Sequence, residues 1–355
     1  MRRCLIVLPL LVACGAAPGE PTVPELDDGW NEQLPGGLTG CSYGTEFAWW
    51  VRPGTVNKVV VDFWGGGACW DDITCAIGPG QIFEDSVDNI RTAIEDDVKI
   101  GIYDETRDDN PFADWFHVIV PYCTGDIHWG DNRTRYGNDS NDFALDHVGA
   151  VNARAVLDQV YSWFSAPEQI FVTGCSAGSY GSALWSADLM RQYPEADVIQ
   201  FGDSGAGVIT DQFFADSFPT WNAEPAFPSW IPSLDPATED LQGKELADLY
   251  VGIADANPTA RMAQYNTWAD GTQVDYFQFM GGGDEALWTE RMQESIATIE
   301  AASPNFHSFV APGEEHCIVL RDGFYTVESD GVRLVDWVGD LIDGDPGSVE
   351  CDECQ

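Results

Sequence analysis

Short runs of β-branched and aromatic residues, bounded by Gly, Pro or Asp, alternate along the chain with longer segments of mixed polarity. Such runs are typical of buried strands, and the longer segments are typical of helices. The alternation predicts an α/β fold with a mostly parallel central sheet and helices on both faces. The predicted strands are 47–51, 58–63, 117–120, 169–173, 198–201 and 306–310, and the predicted helices are 144–164, 179–192, 239–251 and 285–302.

The first 29 residues stand outside this alternation. A basic start, a short apolar run and the sequence Leu-Val-Ala-Cys predict an export signal at 1–14, with Cys14 as the lipidated first residue of a bacterial lipoprotein. Cleavage without lipidation is the alternative. Pro, Gly and acidic residues at 15–29 predict a flexible tether, and the rest, 30–355, is predicted as a single domain. We therefore expect an exported protein, either secreted or held in the cell envelope.

Charge narrows the range of partners. The chain carries 59 acidic against 16 basic side chains, for a formal net charge of −43. Such a charge repels polyanions, which excludes nucleic acid and anionic membrane surfaces as partners. Contact with a membrane is expected only through a lipid anchor at Cys14.

The cysteines predict disulfides. Eight of the ten cysteines follow residue 20, and an even number in an exported chain favours pairing over thiol chemistry or zinc. Cys69 and Cys75 lie close enough in sequence to close a small loop, but the sequence alone leaves the pairings open. Cys351 and Cys354 have the spacing of zinc ligands without a second pair or a nearby histidine. We expect neither a metal nor an organic cofactor.

The segment Gly174-Cys175-Ser176-Ala177-Gly178 fits the G-x-S-x-G turn that carries a nucleophilic serine. Small residues around Ser176 allow a tight turn between strand 169–173 and helix 179–192, which exposes the hydroxyl at the end of the sheet. The pattern also occurs by chance in ordinary turns. Its interpretation therefore depends on an acid and a histidine that follow it along the chain.

Chain order selects the general base. Three of the five histidines lie upstream of Ser176 and are excluded, because the expected order is serine, acid, histidine. His307 lies within strand 306–310, where an ordinary structural role is typical. His316 follows that strand in a loop, so we predict His316 as the base.

Sequence order alone does not identify the acid of the triad. Asp203 and Asp270 each follow an apolar segment that fits a strand, and Asp275 is a third choice. Each of them also fits a solvated loop position in so acidic a chain.

A glycine-rich segment at 64–69 directly follows strand 58–63. Acyl transfer needs backbone N–H groups directed at the developing oxyanion, and lipases and esterases carry a glycine-rich loop at this place. We therefore predict an oxyanion hole here, completed by the N–H of Ala177. The GDSG sequence at 202–205 resembles the serine segment of trypsin-like peptidases, but those are all-β proteins and this chain is predicted as α/β.

Together these segments resemble the pectin acetylesterase and Notum family of α/β-hydrolases. The similarity extends over roughly residues 38–320. The matching segments are GGGACW at 65–70 with its C-x5-C spacing, PYCTGD at 121–126, GCSAGSYGS at 174–182, GDSGAG at 202–207, DGTQ at 270–273 and His316-Cys317.

The resemblance implies an α/β-hydrolase-like fold and selects the acid. The family acid stands in a D-x-x-Q motif, which Asp270 to Gln273 match. The other residues that the resemblance assigns are Gly66, Gly67, Ala68 and Ala177 around the oxyanion, and the disulfides Cys69–Cys75 and Cys41–Cys123.

The resemblance also implies an activity: a serine carboxylesterase that removes acyl groups, acetyl above all, from an extracellular polysaccharide such as pectin. De-esterified pectin is a polyanion, which the negative net charge of the protein repels. Arg133 and Arg135, which follow the PYCTGD segment, are the nearest candidates for a basic strip that would offset this repulsion. Neutral acetylated polysaccharides and small esters are therefore alternative substrates to pectin. Two alternatives are a hydrolase of lipid or long-acyl esters and a non-catalytic, surface-tethered carbohydrate-binding lipoprotein.

Overall fold

The structure is a computed structural model. The predicted export signal, with Cys14, lies outside the residues that it describes, and so does the predicted tether up to residue 20. Within the described ranges, no helix is both long enough and apolar enough to span a bilayer. The described residues are 21–76, 81–95, 98–137, 142–344 and 346–354.

The described part of the predicted tether lies against the domain. The Thr22 N–H donates to the carbonyl of Trp163 at 2.7 Å, and Val23 and Leu26 pack against the core. This part of the predicted tether is therefore held against the domain.

Strands and helices alternate along the chain. Most of the predicted strands consist of β-branched and aromatic side chains, which the sheet buries on both faces. The strands are β1 (Asn31–Gln33), β2 (Trp49–Arg52), β3 (Lys58–Phe63), β4 (Phe116–Val120), β5 (Asn132–Tyr136), β6 (Phe143–His147), β7 (Gln169–Cys175), β8 (Asp197–Asp203), β9 (Arg261–Thr267), β10 (Phe306–Ala311), β11 (Glu328–Ser329) and β12 (Val332–Arg333). The α-helices are α1 (Asp88–Glu95), α2 (Gly149–Trp163), α3 (Ala177–Gln192), α4 (Asp211–Trp221), α5 (Leu246–Ala256), α6 (Gly271–Phe279), α7 (Glu285–Ala302) and α8 (Leu334–Asp343).

In the described part of the chain, eight strands form one central sheet in the order β1-β2-β4-β3-β7-β8-β9-β10. From β4 to β10 all neighbours are parallel, whereas β1 and β2 add antiparallel pairs at one edge. Two hairpins, β5-β6 and β11-β12, stand apart from it. The predicted mostly parallel α/β architecture is confirmed.

Two predicted helices begin later than the sequence pattern indicates. Leu145 and His147 alternate inward within β6, a period of two that belongs to a strand, so α2 starts only at Gly149. Helix α5 starts at Leu246, where Glu245 forms a capping box with the first turn.

The parallel strands determine where chemistry can occur. The carboxyl ends of β3, β7, β8, β9 and β10 meet at one edge of the sheet, which is where open α/β sheets place their ligands. The segments that leave this edge are 64–69, 176–177, 204–210, 268–270 and 312–317, and they contain the predicted nucleophile, base and acid.

Candidate active site

Ser176 occupies the turn between β7 and α3, with φ +57° and ψ −122°. A non-glycine residue adopts such a conformation only where the surroundings impose it. Here the imposed contacts are tight: a Cβ at Gly178 would collide with the carbonyl oxygen of Phe63, and one at Gly174 with the carbonyl oxygen of Gly178. The two motif glycines therefore let α3 approach the sheet closely enough to form the turn.

His316 and Asp270 are hydrogen-bonded to each other. The Nδ1 atom of His316 lies 2.8 Å from Oδ2 and 3.0 Å from Oδ1 of Asp270. Since a carboxylate can only accept, Nδ1 carries the proton and Nε2 is left to accept one. Asp270 is fully buried, whereas the His316 side chain is 17 % exposed.

The glutamine that follows the acid by three residues, Gln273, is hydrogen-bonded to it. Asp270 caps α6 and accepts from the Gln273 N–H at 3.0 Å, and the Gln273 side-chain amide donates to Oδ2 at 3.0 Å. The amide oxygen of Gln273 in turn accepts from the Ala206 N–H. Gln273 thus fixes the carboxylate and ties it to the segment after β8, a role that the sequence indicated only through the motif.

Ser176 and His316 line the same cavity, together with Gly67, Ala68 and Ala177. It comprises about 650 Å³ of space, part of which is open to solvent. Most of the remaining wall is apolar and aromatic. Its apolar residues include Trp70, Trp129, Val208, Phe213, Phe214 and Trp288.

The glycine-rich loop packs directly on the serine turn. A Cβ at Gly65 would lie 2.9 Å from the Cβ of Ser176, and Gly67 has φ +72° with no space for a side chain. Gly66, which the resemblance places around the oxyanion, does not line the cavity, and its carbonyl accepts from the Glu84 N–H at 2.8 Å. Gly65, which the prediction did not assign, is therefore the glycine that allows the loop to contact the serine turn.

His128 is hydrogen-bonded to the same loop. Its Nε2 donates to the carbonyl of Trp64 at 2.9 Å, and burial lowers the pKa of His128 to about 4, so the ring stays neutral. Burial likewise lowers the pKa of His117 and that of His147. These three are the upstream histidines that chain order excludes as the base, and His307 lies within β10.

Asp203 contacts the backbone after His316. Its Oδ2 accepts from the N–H groups of Ile318 at 2.7 Å and Val319 at 2.9 Å, and its Oδ1 accepts from the Ser204 hydroxyl. Burial raises the pKa of Asp203 to about 6. Asp275, the third choice for the acid, lies on the exposed face of α6.

The described cysteines are all paired. Because disulfide sulfurs do not act as thiolate ligands, the two histidine–cysteine clusters within metal-binding distance in the described residues offer no metal site. The pairs are Cys41–Cys123 and Cys69–Cys75, which the resemblance implies, and Cys175–Cys317 and Cys351–Cys354, which the sequence left open.

A buried carboxyl lies beneath the glycine-rich loop. Asp62 of β3 accepts from the Tyr103 hydroxyl, which accepts in turn from the Trp64 indole N–H at 2.8 Å. Its Oδ1 has no hydrogen-bond partner. Burial raises the pKa of Asp62 to about 7 from an ordinary value near 3.8.

Replacing Asp62 with asparagine should make stability less dependent on pH. The native state holds the Asp62 proton up to about pH 7, whereas the unfolded chain releases it near pH 3.8. The wild type therefore loses stability as the pH rises through this window, and the variant does not lose that part. From pH 4 to pH 8 we expect Asp62→Asn to gain up to about 4 kcal/mol relative to wild type. Urea unfolding of both proteins measures the difference; a difference that is constant with pH would contradict the prediction.

These features define the class of protein. A mostly parallel sheet with a serine at a strand–turn–helix junction, above an apolar cavity, is the arrangement of an α/β-hydrolase. The chain matches the model of the Pectinacetylesterase family over residues 38–219, and it belongs to this family. It is thus a carboxylic ester hydrolase. The matched region contains Ser176 and ends before Asp270 and His316.

Solved structures agree with this fold. The Wnt deacylase Notum from Drosophila superposes with a TM-score of 0.63 at 16% sequence identity, covering 88% of this chain and 92% of that chain. A second crystal form of the same protein gives 0.61 at 15% identity, with 89% and 96% covered. At these identities the likeness establishes the fold. No curated protein sequence matches the chain.

Proposed function

We propose that the protein is a serine carboxylesterase that removes acetyl groups from an extracellular polysaccharide, with Ser176, His316 and Asp270 as the catalytic triad. The observation that carries this proposal is the His316–Asp270 hydrogen bond beside a strained serine turn that lines the same cavity. Nucleophile, base and orienting acid are the three parts that such catalysis requires.

The reaction proceeds through an acyl-enzyme. Nε2 of His316 takes the proton of the Ser176 hydroxyl as its oxygen attacks the ester carbonyl, and Asp270 stabilises the imidazolium that forms. Backbone N–H groups of the glycine-rich loop and of Ala177 stabilise the oxyanion. His316 then returns the proton to the leaving alcohol. Water, activated by the same histidine, cleaves the acyl-enzyme.

Neutral acetylated polysaccharides fit the surface charge better than pectin does. Arg133 forms an ion pair with Asp146, and Arg135 forms one with Asp142. The two arginines nearest in sequence to the PYCTGD segment are therefore neutralised locally, and they do not offset a net charge of −43. A polygalacturonate chain meets repulsion that salt screens but does not reverse.

The second candidate is a hydrolase of longer acyl esters. It is favoured by the apolar and aromatic wall of the cavity, since burying each methylene group of an acyl chain contributes about 0.8 kcal/mol. An acetyl group makes little use of such a wall.

Activity on p-nitrophenyl acetate, butyrate and octanoate separates the two candidates. If acetyl esters are the substrate class, kcat/KM peaks at acetate and falls by about tenfold or more at octanoate. A peak at octanoate favours the longer acyl esters. Inactivity on all three esters, with the protein folded, would contradict the esterase proposal and leave the carbohydrate-binding alternative.

We also propose that the protein is exported and lipidated at Cys14. The disulfides support an oxidising compartment. The mass of the mature N-terminal peptide tests the proposal: a diacylated Cys14 supports anchoring in the cell envelope, and an unmodified terminus supports secretion.

A further inference from the structure

One disulfide joins the two segments that carry the proposed nucleophile and base. Cys175 directly precedes Ser176, and Cys317 directly follows His316. The two cysteines are bonded to each other although they are 142 residues apart in sequence. The disulfide is therefore a short covalent connection between the serine turn and the histidine segment.

The two ends of this connection differ in how the fold holds them. Cys175 is the last residue of β7 and lies in register with Asp203 of β8, in the middle of the sheet. Cys317 lies in an irregular segment after β10 and has φ +65°, a conformation that non-glycine residues adopt rarely. The disulfide thus fastens a locally strained segment to a central strand.

Hydrogen bonds hold the same segment on its other sides. The Cys317 N–H donates to the Ser204 hydroxyl at 2.9 Å, and the Glu315 carbonyl accepts from the Thr267 hydroxyl at 2.9 Å. Both partners belong to the region of β8 and β9. The disulfide alone among these links joins the histidine segment to the residue next to Ser176.

We propose that Cys175 and Cys317 are positioning residues for catalysis, an inference that rests on the proposed Ser176–His316 pair. Their disulfide sets the distance between the imidazole and the serine hydroxyl. The rate of such a reaction depends steeply on geometry, since a misplacement of about 1 Å can cost about 10²-fold. Without the disulfide, hydrogen bonds alone hold the segment against the strained φ of Cys317. The bonds to Asp270 and Asp203 keep it near β8 and β9, but none of them fixes its distance from Cys175, so we expect the imidazole to shift relative to Ser176.

The effect should appear in kcat rather than in KM. Half of the residues that line the cavity belong to α4, to the segment after β8 and to the loops that follow β3 and β4, and the disulfide is bonded to none of these elements. Substrate binding should therefore persist while proton transfer from Ser176 slows. A disulfide with only a structural role would instead lower the melting temperature and the number of competent sites.

The test variant is Cys175→Ala/Cys317→Ala, and its matched control is Cys351→Ala/Cys354→Ala, which removes a disulfide outside the cavity wall. Both are assayed with p-nitrophenyl acetate well below their melting temperatures. Competent sites are counted by stoichiometric reaction with diethyl p-nitrophenyl phosphate. In the test variant we expect kcat per competent site to fall about 10- to 100-fold with KM within about threefold, and in the control we expect both values within about twofold.

A test variant whose kcat per site equals that of wild type would overturn the proposal, whatever its melting temperature. The failure of the proposed function gives a different result, because Ser176→Ala would then keep its activity. If the double variant does not fold, folded wild type is treated with dithiothreitol and the newly alkylated cysteines are identified by mass spectrometry. Activity that falls as Cys175 and Cys317 become reduced supports the proposal, and full activity with this pair reduced overturns it.

Discussion

Ser176→Ala is expected to remove nearly all esterase activity, lowering kcat by about 10⁴- to 10⁶-fold. Alanine keeps the tight turn but has no oxygen to attack the ester, and without it the His316 base has no proton to accept. Binding should be little affected, because the apolar cavity wall is unchanged. Steady-state kinetics on p-nitrophenyl acetate measure the loss, and stoichiometric labelling by a serine-directed phosphonate should disappear in parallel.

Ser204→Ala is the matched control for this prediction. Ser204 lines the same cavity and also has a positive φ, of +55°, and it stands in the GDSG segment that resembles a peptidase serine. Its hydroxyl donates to Asp203 and accepts from a backbone N–H, so we expect at most about a tenfold loss in kcat. An inactive Ser204→Ala beside an active Ser176→Ala would contradict the proposal and identify Ser204 as the nucleophile.

Asp270→Asn should lower kcat by about 10⁴-fold. The asparagine fits the same space, but its amide group presents a donor to the Nδ1 side of His316, which favours the wrong tautomer of the ring. It also removes the negative charge that stabilises the imidazolium. Circular dichroism and the melting temperature should show a folded protein, and kinetics across pH 6 to 9 should show the loss throughout.

Asp203→Asn separates the two acids that the sequence could not distinguish. Asp203 contacts backbone N–H groups after His316 rather than the ring, and the asparagine oxygen can still accept from them. We expect kcat within about tenfold of wild type. The reverse pattern, with Asp203→Asn inactive and Asp270→Asn active, would make Asp203 the acid.

The serine turn and the histidine could be predicted because their signals are local. The tight turn at Ser176 requires small residues at fixed offsets, and these are visible in five consecutive positions. His316 follows from chain order and from its place after a strand. The mostly parallel sheet followed in the same way from the alternation of short apolar runs with longer segments.

The acid and the cross-links could not be predicted from the residues alone, because they depend on which strands are neighbours. Asp203 ends β8 and Asp270 follows β9, and these strands are adjacent in the sheet. Both acids therefore reach the same edge, and only side-chain direction distinguishes them. The Cys175–Cys317 pair likewise becomes evident only when β7, β8, β9 and β10 lie side by side.

The hairpin of β5 and β6 could not be predicted from the sequence for a different reason. The sequence pattern predicts one helix over 144–164, although Gly149 stands at the point where strand β6 ends and α2 begins. Pairing with β5 makes residues 143–147 a strand. Inside the fold, Nδ1 of the His147 ring donates to the Thr124 carbonyl, and its Nε2 accepts from the Tyr136 hydroxyl. Tertiary contacts here override local preference.

The wide separation of Cys175 and Cys317 also means that the serine turn and the histidine segment are synthesised at different times. A chain is made from its N-terminus, so Ser176 exists for as long as it takes to add a further 140 residues before its base is present. Until β9 and β10 dock beside β8, the proposed nucleophile of a nascent or truncated chain lacks its proposed base. On the proposed triad, hydrolytic activity therefore requires that the segment of His316 has been made and has docked against the sheet, so activity reports on the C-terminal third of the chain as well as on the serine turn.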